Sequence, residues 1–230
     1  MKVAALQPLR HGLLSEIGVD HGFGLRDLAK LEDLRCPRQV HGIAVATAQQ
    51  CAGNGLPPEA DAVISEEVGV RIGVVTADCL PILLAGDRGR VVAVVHAGWR
   101  GLSGGVIGAC MAGLRERLGS SETVTAVIGP HIRKCCYEVD EPVLSAFEER
   151  FSEMLPSAVR QTRPGHARLD LGQLASEALL AEGVEGGRIG IVEGACTACD
   201  AERFYSYRRD GPETGRLVHF IAAVAGVEKG

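Results

Sequence analysis

Val70-Arg71-Ile72-Gly73-Val74-Val75-Thr76-Ala77-Asp78-Cys79-Leu80-Pro81-Ile82-Leu83-Leu84, largely apolar, and, beyond Gly86-Asp87-Arg88-Gly89, the apolar Val91-Val92-Ala93-Val94-Val95 stand on either side of a turn signal. Both read as buried strands, and the short polar, glycine-marked connection makes an antiparallel hairpin the simplest link. A loop centred between Asp87 and Arg88 sets Cys79 directly opposite His96. Opposed side chains on one face have Cβ atoms about 4.5–5.5 Å apart. A sulfur at about 2.3 Å and an imidazole nitrogen at about 2.0–2.1 Å can share one metal ion across that gap. Pro81 tests this register, because it cannot donate to the ladder and a one-residue slip would send the two side chains to opposite faces. On spacing alone a second reading stays open, with Cys79 a buried small hydrophobe and His96 a hydrogen-bonded core histidine.

Outward from the hairpin the pattern alternates. From Ser103 the apolar residues Val106, Ile107, Cys110, Met111, Leu114 and Leu118 recur at the spacing of one helical face, which predicts a helix ending near Gly119. Val124 to Ile128 reads as a strand stopped by Gly129-Pro130, and Cys135 to Val139 as a further short one. Asp140 is an N-cap with Pro142 in the first turn of a helix carrying Val143, Leu144, Phe147 and Phe151. A helix over Leu171 to Ala181 and a strand over Arg188 to Val192 follow, and the apolar Val218 to Val224 is a strand or a helix. The hairpin breaks any pure βαβ rhythm. The fold class expected is therefore α/β (α+β), a mixed β-sheet core covered by helices, in one domain over 1–230.

Composition narrows the function classes. The 230 residues are 46% hydrophobic and 23% charged, enough apolar material for one core. Glycine, at 30 residues, is about twice its ordinary share of roughly 7%. A net charge of −5 and 4% aromatics argue against nucleic-acid binding. Pro8 and Arg10 interrupt the amino-terminal run before a secretory signal could form, and no run approaches membrane-spanning length. Eight cysteines in such a chain read as reduced thiols and metal ligands, which points to the cytosol.

Six words carry a family likeness: Gln39-Val40-His41-Gly42, Thr76-Ala77-Asp78-Cys79-Leu80-Pro81, Val95-His96-Ala97-Gly98-Trp99-Arg100-Gly101, Cys135-Cys136-Tyr137-Glu138-Val139, Cys196-Thr197-Ala198-Cys199, and Phe204-Tyr205-Ser206-Tyr207-Arg208-Arg209 with Thr214-Gly215-Arg216 beyond. From about His21 to Ala222 the chain resembles the laccase-domain proteins, also described as polyphenol oxidases, zinc-dependent purine nucleoside phosphorylases or, for some members, peptidoglycan editing factors. The resemblance implies His41, Cys79 and His96 as zinc ligands. Three protein ligands leave a fourth tetrahedral position for water or substrate, the coordination of a catalytic zinc. It further implies phosphorolysis of adenosine, inosine, guanosine or methylthioadenosine, with adenosine deamination as a second activity and no partner beyond nucleoside and phosphate, in a monomer or homodimer. Two words depart from the family pattern. Phe23-Gly24-Leu25-Arg26 is a reduced form of a longer amino-terminal word, with Arg26 at an implied substrate contact. Arg133-Lys134 replaces a Gly-Pro pair.

Around the metal, Arg100 and the glycine-rich start of the Ser103 helix are expected to hold phosphate, unless Gly101, Gly104 and Gly105 only permit close packing, an equal reading; Asp78 to act as general base, ligand orienter or simple turn acceptor; Gln39 to assist orientation; and His131 to line the cleft. Cys135 and Cys136 would point apart in a strand, which argues against their sharing a metal. Cys196 and Cys199 have the spacing of a redox or zinc motif, but a lone CxxC reads more readily as spare thiols near a strand end, and Arg208, Arg209 and Arg216 read as an anion-holding group or, more commonly for such a cluster, a solvated basic tail. Two other chemistries compete. Copper-dependent oxidation is disfavoured by only seven histidines with no His-X-His pair, although thiolate and imidazole also bind copper. A Cys79 nucleophile with His96 as its base would give a hydrolase acting on cell-wall precursors.

Overall fold

The computed structural model describes residues 7–28, 31–53, 55–118 and 123–225. The reading of the first six residues and the helix end at Gly119 lie outside them. In chain order the strands are β1 (Asp20–Gly22), β2 (Val45–Thr47), β3 (Ala62–Ser65), β4 (Arg71–Thr76), β5 (Leu80–Gly86), β6 (Val91–Ala97), β7 (Val124–Ile128), β8 (Glu138–Asp140), β9 (Val159–Arg163), β10 (His166–Leu169), β11 (Ile189–Ile191) and β12 (Leu217–Ala222). The helices are α1 (Gly12–Ile17), α2 (Trp99–Gly104), α3 (Val106–Arg115), α4 (Glu141–Phe151), α5 (Leu155–Ala158), α6 (Leu171–Ala181) and α7 (Tyr207–Asp210).

A six-stranded mixed sheet in the order β11-β7-β5-β6-β3-β2 forms the centre, with three-stranded sheets β1-β12-β4 and β8-β10-β9 beside it. The outer pairs β11·β7 and β2·β3 are parallel and the inner pairs antiparallel. Period-two alternation explains why β5 and β6 are buried at every position. Ile82, Leu84, Val91, Ala93 and Val95 face a core shared with α3, α4 and α6, while Leu83, Ala85, Val92 and Val94 face a second core shared with Ile72, Val74 and Ile221 of the β4–β12 layer. A sheet covered on both faces has no solvent face to write in polar residues. Among the described residues no helix is long and apolar enough to cross a membrane.

The structure corrects several expectations. Val70 to Leu84 is two strands in different sheets: β4 pairs with β12 and β5 with β6 and β7. The break falls at Ala77-Asp78-Cys79, where Asp78 has φ 89°, a backbone region that a residue with a side chain adopts only when its surroundings hold it there. The hairpin loop is Asp87 to Arg90, with Arg88 at φ 54° and Gly89 at φ 89°, so its centre falls one residue later than expected. His96 therefore pairs with Pro81, not Cys79. The proline is tolerated because its missing N–H faces the end of β7, where Gly129 N donates to Pro81 O, 2.8 Å, and Gly129 O accepts instead from His131 Nδ1, 2.8 Å. The Ser103 helix begins earlier, at Trp99, and breaks at Gly105, which is left-handed at φ 97°. Val218 to Val224 resolves as strand β12, buried between β1 and β4. Cys135 and Cys136 are not in a strand: the chain turns there, with Cys136 N and Tyr137 N both donating to Arg133 O, 2.9 Å each, and extended structure starts only at Glu138.

Burial of histidine gives the fold a pH signature. His131 and His219 have no exposed surface. Gly24 N donates to His219 Nδ1, 3.3 Å, leaving Nε2–H to donate to Thr76 Oγ1, 2.9 Å. Burial holds His131 down at about 4 and His219 at about 3. The unfolded chain protonates these rings near pH 6.5 and the folded one does not. Their contribution to stability is therefore complete above that pH and is lost as pH falls toward 4, at about 1.4 kcal/mol per pH unit for each ring. The urea midpoint should drop through this window, and His219→Gln should drop less steeply; parallel pH profiles for the two proteins would contradict the assignment.

Candidate metal centre

Three separate segments deliver His41, Cys79 and His96 to one point. His41 comes from the loop before β2, Cys79 from the crossing between β4 and β5, and His96 from the end of β6. One ligand atom of each lies within 4.8 Å of the others. Cys79 Sγ is 4.0 Å from His41 Nε2, and the two imidazoles stand edge to face with centroids 4.8 Å apart. The predicted opposition of Cys79 and His96 was displaced by two positions in the ladder, a shift that preserves the face. Gly98 stands next to them: a Cβ there would lie 2.9 Å from His41 Cδ2 and 3.1 Å from Cys79 Sγ. Only glycine leaves room for the ligands.

A carboxylate that the sequence reading missed organises the centre. Asp61, wholly buried, accepts from three consecutive backbone N–H groups, those of Val40 (3.3 Å), His41 (3.0 Å) and Gly42 (2.6 Å). This nest of amides explains how His41 is held at φ 59°. The same carboxylate accepts from His96 Nδ1 at 2.8 Å, which fixes the ring's tautomer and leaves Nε2 for a metal. Burial works against the Asp61 charge, but His96 and the amides of Gly42 and Val40 hold its carboxyl below the usual range. Burial likewise opposes charge on Cys79 and His96. Nevertheless His41 and His96 pull the Cys79 thiol down to about 7, and Asp61 and Cys79 lift His96 to about 9. The signal in the sequence was a lone acid opening the apolar run Ala62-Val63-Ile64.

The remaining candidates divide. Asp78, next to Cys79, accepts from Thr197 Oγ1 (2.6 Å), Ser206 Oγ (3.0 Å) and Arg208 N (2.6 Å), an arrangement that makes it a strut for the ligand loop. Gln39 spends its carboxamide on the backbone of Val75, donating to its O at 2.8 Å and accepting from its N at 2.7 Å, and so ties the His41 loop to β4. His131 does not line a cleft: it is buried beside Gly172 with Nδ1 donating to Gly129 O, 2.8 Å. Arg26 donates to Ala201 O, 2.8 Å, and its guanidinium lies 4.7 Å over Tyr205, so its contacts hold that loop. Arg100 is exposed with its guanidinium 4.3 Å over Trp99. Ser103 lies inside α2 and does not start a helix, and Arg150 donates to Ser103 O and Gly104 O. Arg208 and Arg209 are not a solvated tail. Arg209 donates to Thr197 O and Phe204 O, 2.8 Å each, and Arg208 lies 5.2 Å over the ring of Tyr137. Tyr137 was quoted only as part of a motif. Burial and the neighbouring Cys79 push its hydroxyl up, so it keeps its proton beside the metal ligands.

Residues 25–224 match the family model described as multi-copper polyphenol oxidoreductase laccase. The chain belongs to this family, and the matched span contains all three ligand candidates. It is 36% identical over 200 residues to a protein named purine nucleoside phosphorylase YlmD from Geobacillus stearothermophilus, covering 83% of this chain and 72% of that one. It is 33% identical over 215 residues to one named adenosine deaminase RL5 from an unknown prokaryotic organism, covering 89% and 76%. The crystal structure of YlmD from Geobacillus stearothermophilus superposes with a TM-score of 0.85 at 28% identity, covering 97% of this chain and 98% of that one.

Asp61→Asn should lower affinity for a divalent metal at this centre by about 10–100-fold, the usual cost of losing a histidine's carboxylate partner. Competition against a chromophoric chelator measures this, and unchanged affinity would refute the organising role of Asp61.

Proposed function

We propose that the chain is a zinc-dependent purine nucleoside phosphorylase acting on adenosine, inosine, guanosine or methylthioadenosine, with adenosine deamination as a second activity. The observation that carries this reading is the three-ligand centre itself. Two imidazoles and a thiol converge within 4.8 Å, with His96 buried and His41 exposed, so one side of the site is open to a substrate. The donor set fits zinc: His96 Nε2 is presented by the Asp61 bond, and Cys79 is predisposed to lose its proton. Bound zinc supplies a Lewis acid at an open coordination position. The names of the related proteins support the same substrate class.

In phosphorolysis a phosphate oxygen forms a bond to the ribose C1′ as the C1′–N9 bond breaks, and the purine leaves with its electron pair and takes up a proton. The protein's part is positioning and charge. Arg100 offers an exposed cation for phosphate, Tyr137 a retained O–H, and Arg208 a guanidinium stacked on that tyrosine. Asp78 and Gln39 act through the loops they hold. A cytosolic setting is part of the proposal, supported by eight cysteines that all stand as free thiols.

One observation favours a second reading. Asp61, His96 and Cys79 form a carboxylate–imidazole–thiol line, which would activate Cys79 as a nucleophile if no metal held it. The copper reading finds less support: among the described residues the other group of metal-ligating side chains consists of cysteines alone, with no histidine cluster for a multicopper site.

Pure protein incubated with adenosine and phosphate should release adenine and ribose 1-phosphate, with inosine as the deamination product. His41→Ala should lose at least about 100-fold of this activity, and Arg100→Ala should raise the KM for phosphate more than it lowers kcat. No purine release above the His41→Ala level would reject the proposal, and rapid alkylation of Cys79 in the zinc-loaded protein would favour the nucleophile instead.

A further inference from the structure

Outside the His41 centre the fold gathers the four cysteines that the sequence reading separated. Cys135 and Cys136 sit on the turn that follows Arg133, and Cys196 and Cys199 on a second turn closed by Asp200 N donating to Cys196 O, 3.2 Å. The two turns are pinned to each other by main chain: His131 N donates to Ala195 O, 3.3 Å, and Thr197 N to His131 O, 3.1 Å. Their sulfurs all lie within 4.8 Å of one another. Individual separations are 3.5 Å for Cys135–Cys196, 3.5 Å for Cys135–Cys199 and 3.2 Å for Cys136–Cys199.

We propose that Cys135, Cys136, Cys196 and Cys199 form a tetrathiolate site for a single zinc ion, which cross-links the two turns. This site does not depend on the nucleoside reading. The geometry decides among the uses of four thiols. Four sulfurs at about 2.3 Å from one tetrahedral ion stand about 3.8 Å apart, within the observed range. A disulfide requires about 2.05 Å, and all four cysteines are free. An iron–sulfur cluster would need its thiols spread around several metal atoms, wider than this group. Sulfur-only tetrahedral donors select zinc or iron, and the compact spacing selects one ion.

The surroundings are those of a thiolate site. Arg133 N donates to Cys196 Sγ at 3.5 Å, the backbone N–H to sulfur contact that stabilises a bound thiolate. The group opens onto a cavity of about 330 Å³ lined also by Arg133, Lys134, Asp170 and Asp200, two cations and two carboxylates, which provides an entry path for the ion. On binding, each thiol releases its proton to solvent as its sulfur–metal bond forms. The consequence reaches the first centre. Thr197, between the two cysteines of the second turn, donates to Asp78, the residue before Cys79. A metal clamp on that turn would fix the strut behind the Cys79 loop.

The full chain, purified under reductant and loaded with zinc, should contain two zinc ions. Cys196→Ser/Cys199→Ser should retain one, His41→Ala should retain one, and the combined variant none. The Cys79 site thus reports separately, and failure of one site does not imply failure of the other. Because the serine variant could lose its fold, cobalt(II) titration of the apo wild-type chain gives an independent reading. It should show a four-thiolate charge-transfer spectrum in addition to that of a one-thiolate ion. A wild-type content of one zinc that His41→Ala abolishes would overturn the proposal. So would four thiols that react with a thiol reagent in the zinc-loaded protein as fast as in the denatured chain, disulfides in the reduced preparation, or iron as the bound metal.

Discussion

Everything at the metal centre rests on the carboxylate of Asp61. Buried without solvent, it would be costly to ionise alone, and it is satisfied from two directions at once: three amides of the His41 loop on one side and the His96 imidazole on the other. A single charge thus sets the backbone angle of one candidate ligand and the tautomer of another. The third ligand, Cys79, meets them because β5 and β6 are adjacent strands of one sheet.

A second buried acid does the corresponding work on the other wall. Asp78 lies where the chain leaves the β4–β12 sheet and enters the central one, and its three hydrogen bonds draw in Thr197, Ser206 and the start of α7. The segment from Thr197 to Arg208 is therefore built against the Cys79 loop. The strained φ of Asp78 is the local cost of moving between layers in three residues, and the bonds it accepts offset that cost. The site sits where the chain passes from the β4–β12 sheet into the central one, so that side chains from several segments meet there.

The same segments that hold Asp78 bring the cysteines together. Turns at Cys135–Cys136 and at Cys196–Cys199 are each too short to build a core of their own, and the sheet β8-β10-β9 beside them is small. A metal there would add a direct cross-link to two turns that main-chain bonds and the Thr197–Asp78 bond already hold in place.

How much of this was legible in the amino-acid sequence depends on the range of the interaction. Local pattern marked β6, β7, α4 and α6 nearly to their ends, because period and capping residues act within a few positions, and the motifs around His41, Cys79 and His96 singled out three side chains that the fold brings together. The chain also carried, unread, the acid at Asp61. What local pattern could not convey was decided between segments far apart. The apolar run from Val70 to Leu84 looks continuous, since a strand covered on both faces writes no break, and only the positions of β12 and of Thr197 show that it crosses from one sheet to another at Asp78. Cys135 and Cys136 point apart in an extended chain and together on a turn, and the turn is stabilised by Arg133 and by a loop about sixty residues away. Hydrophobic period is a property of neighbours along the chain, whereas metal geometry and buried charge are properties of neighbours in space.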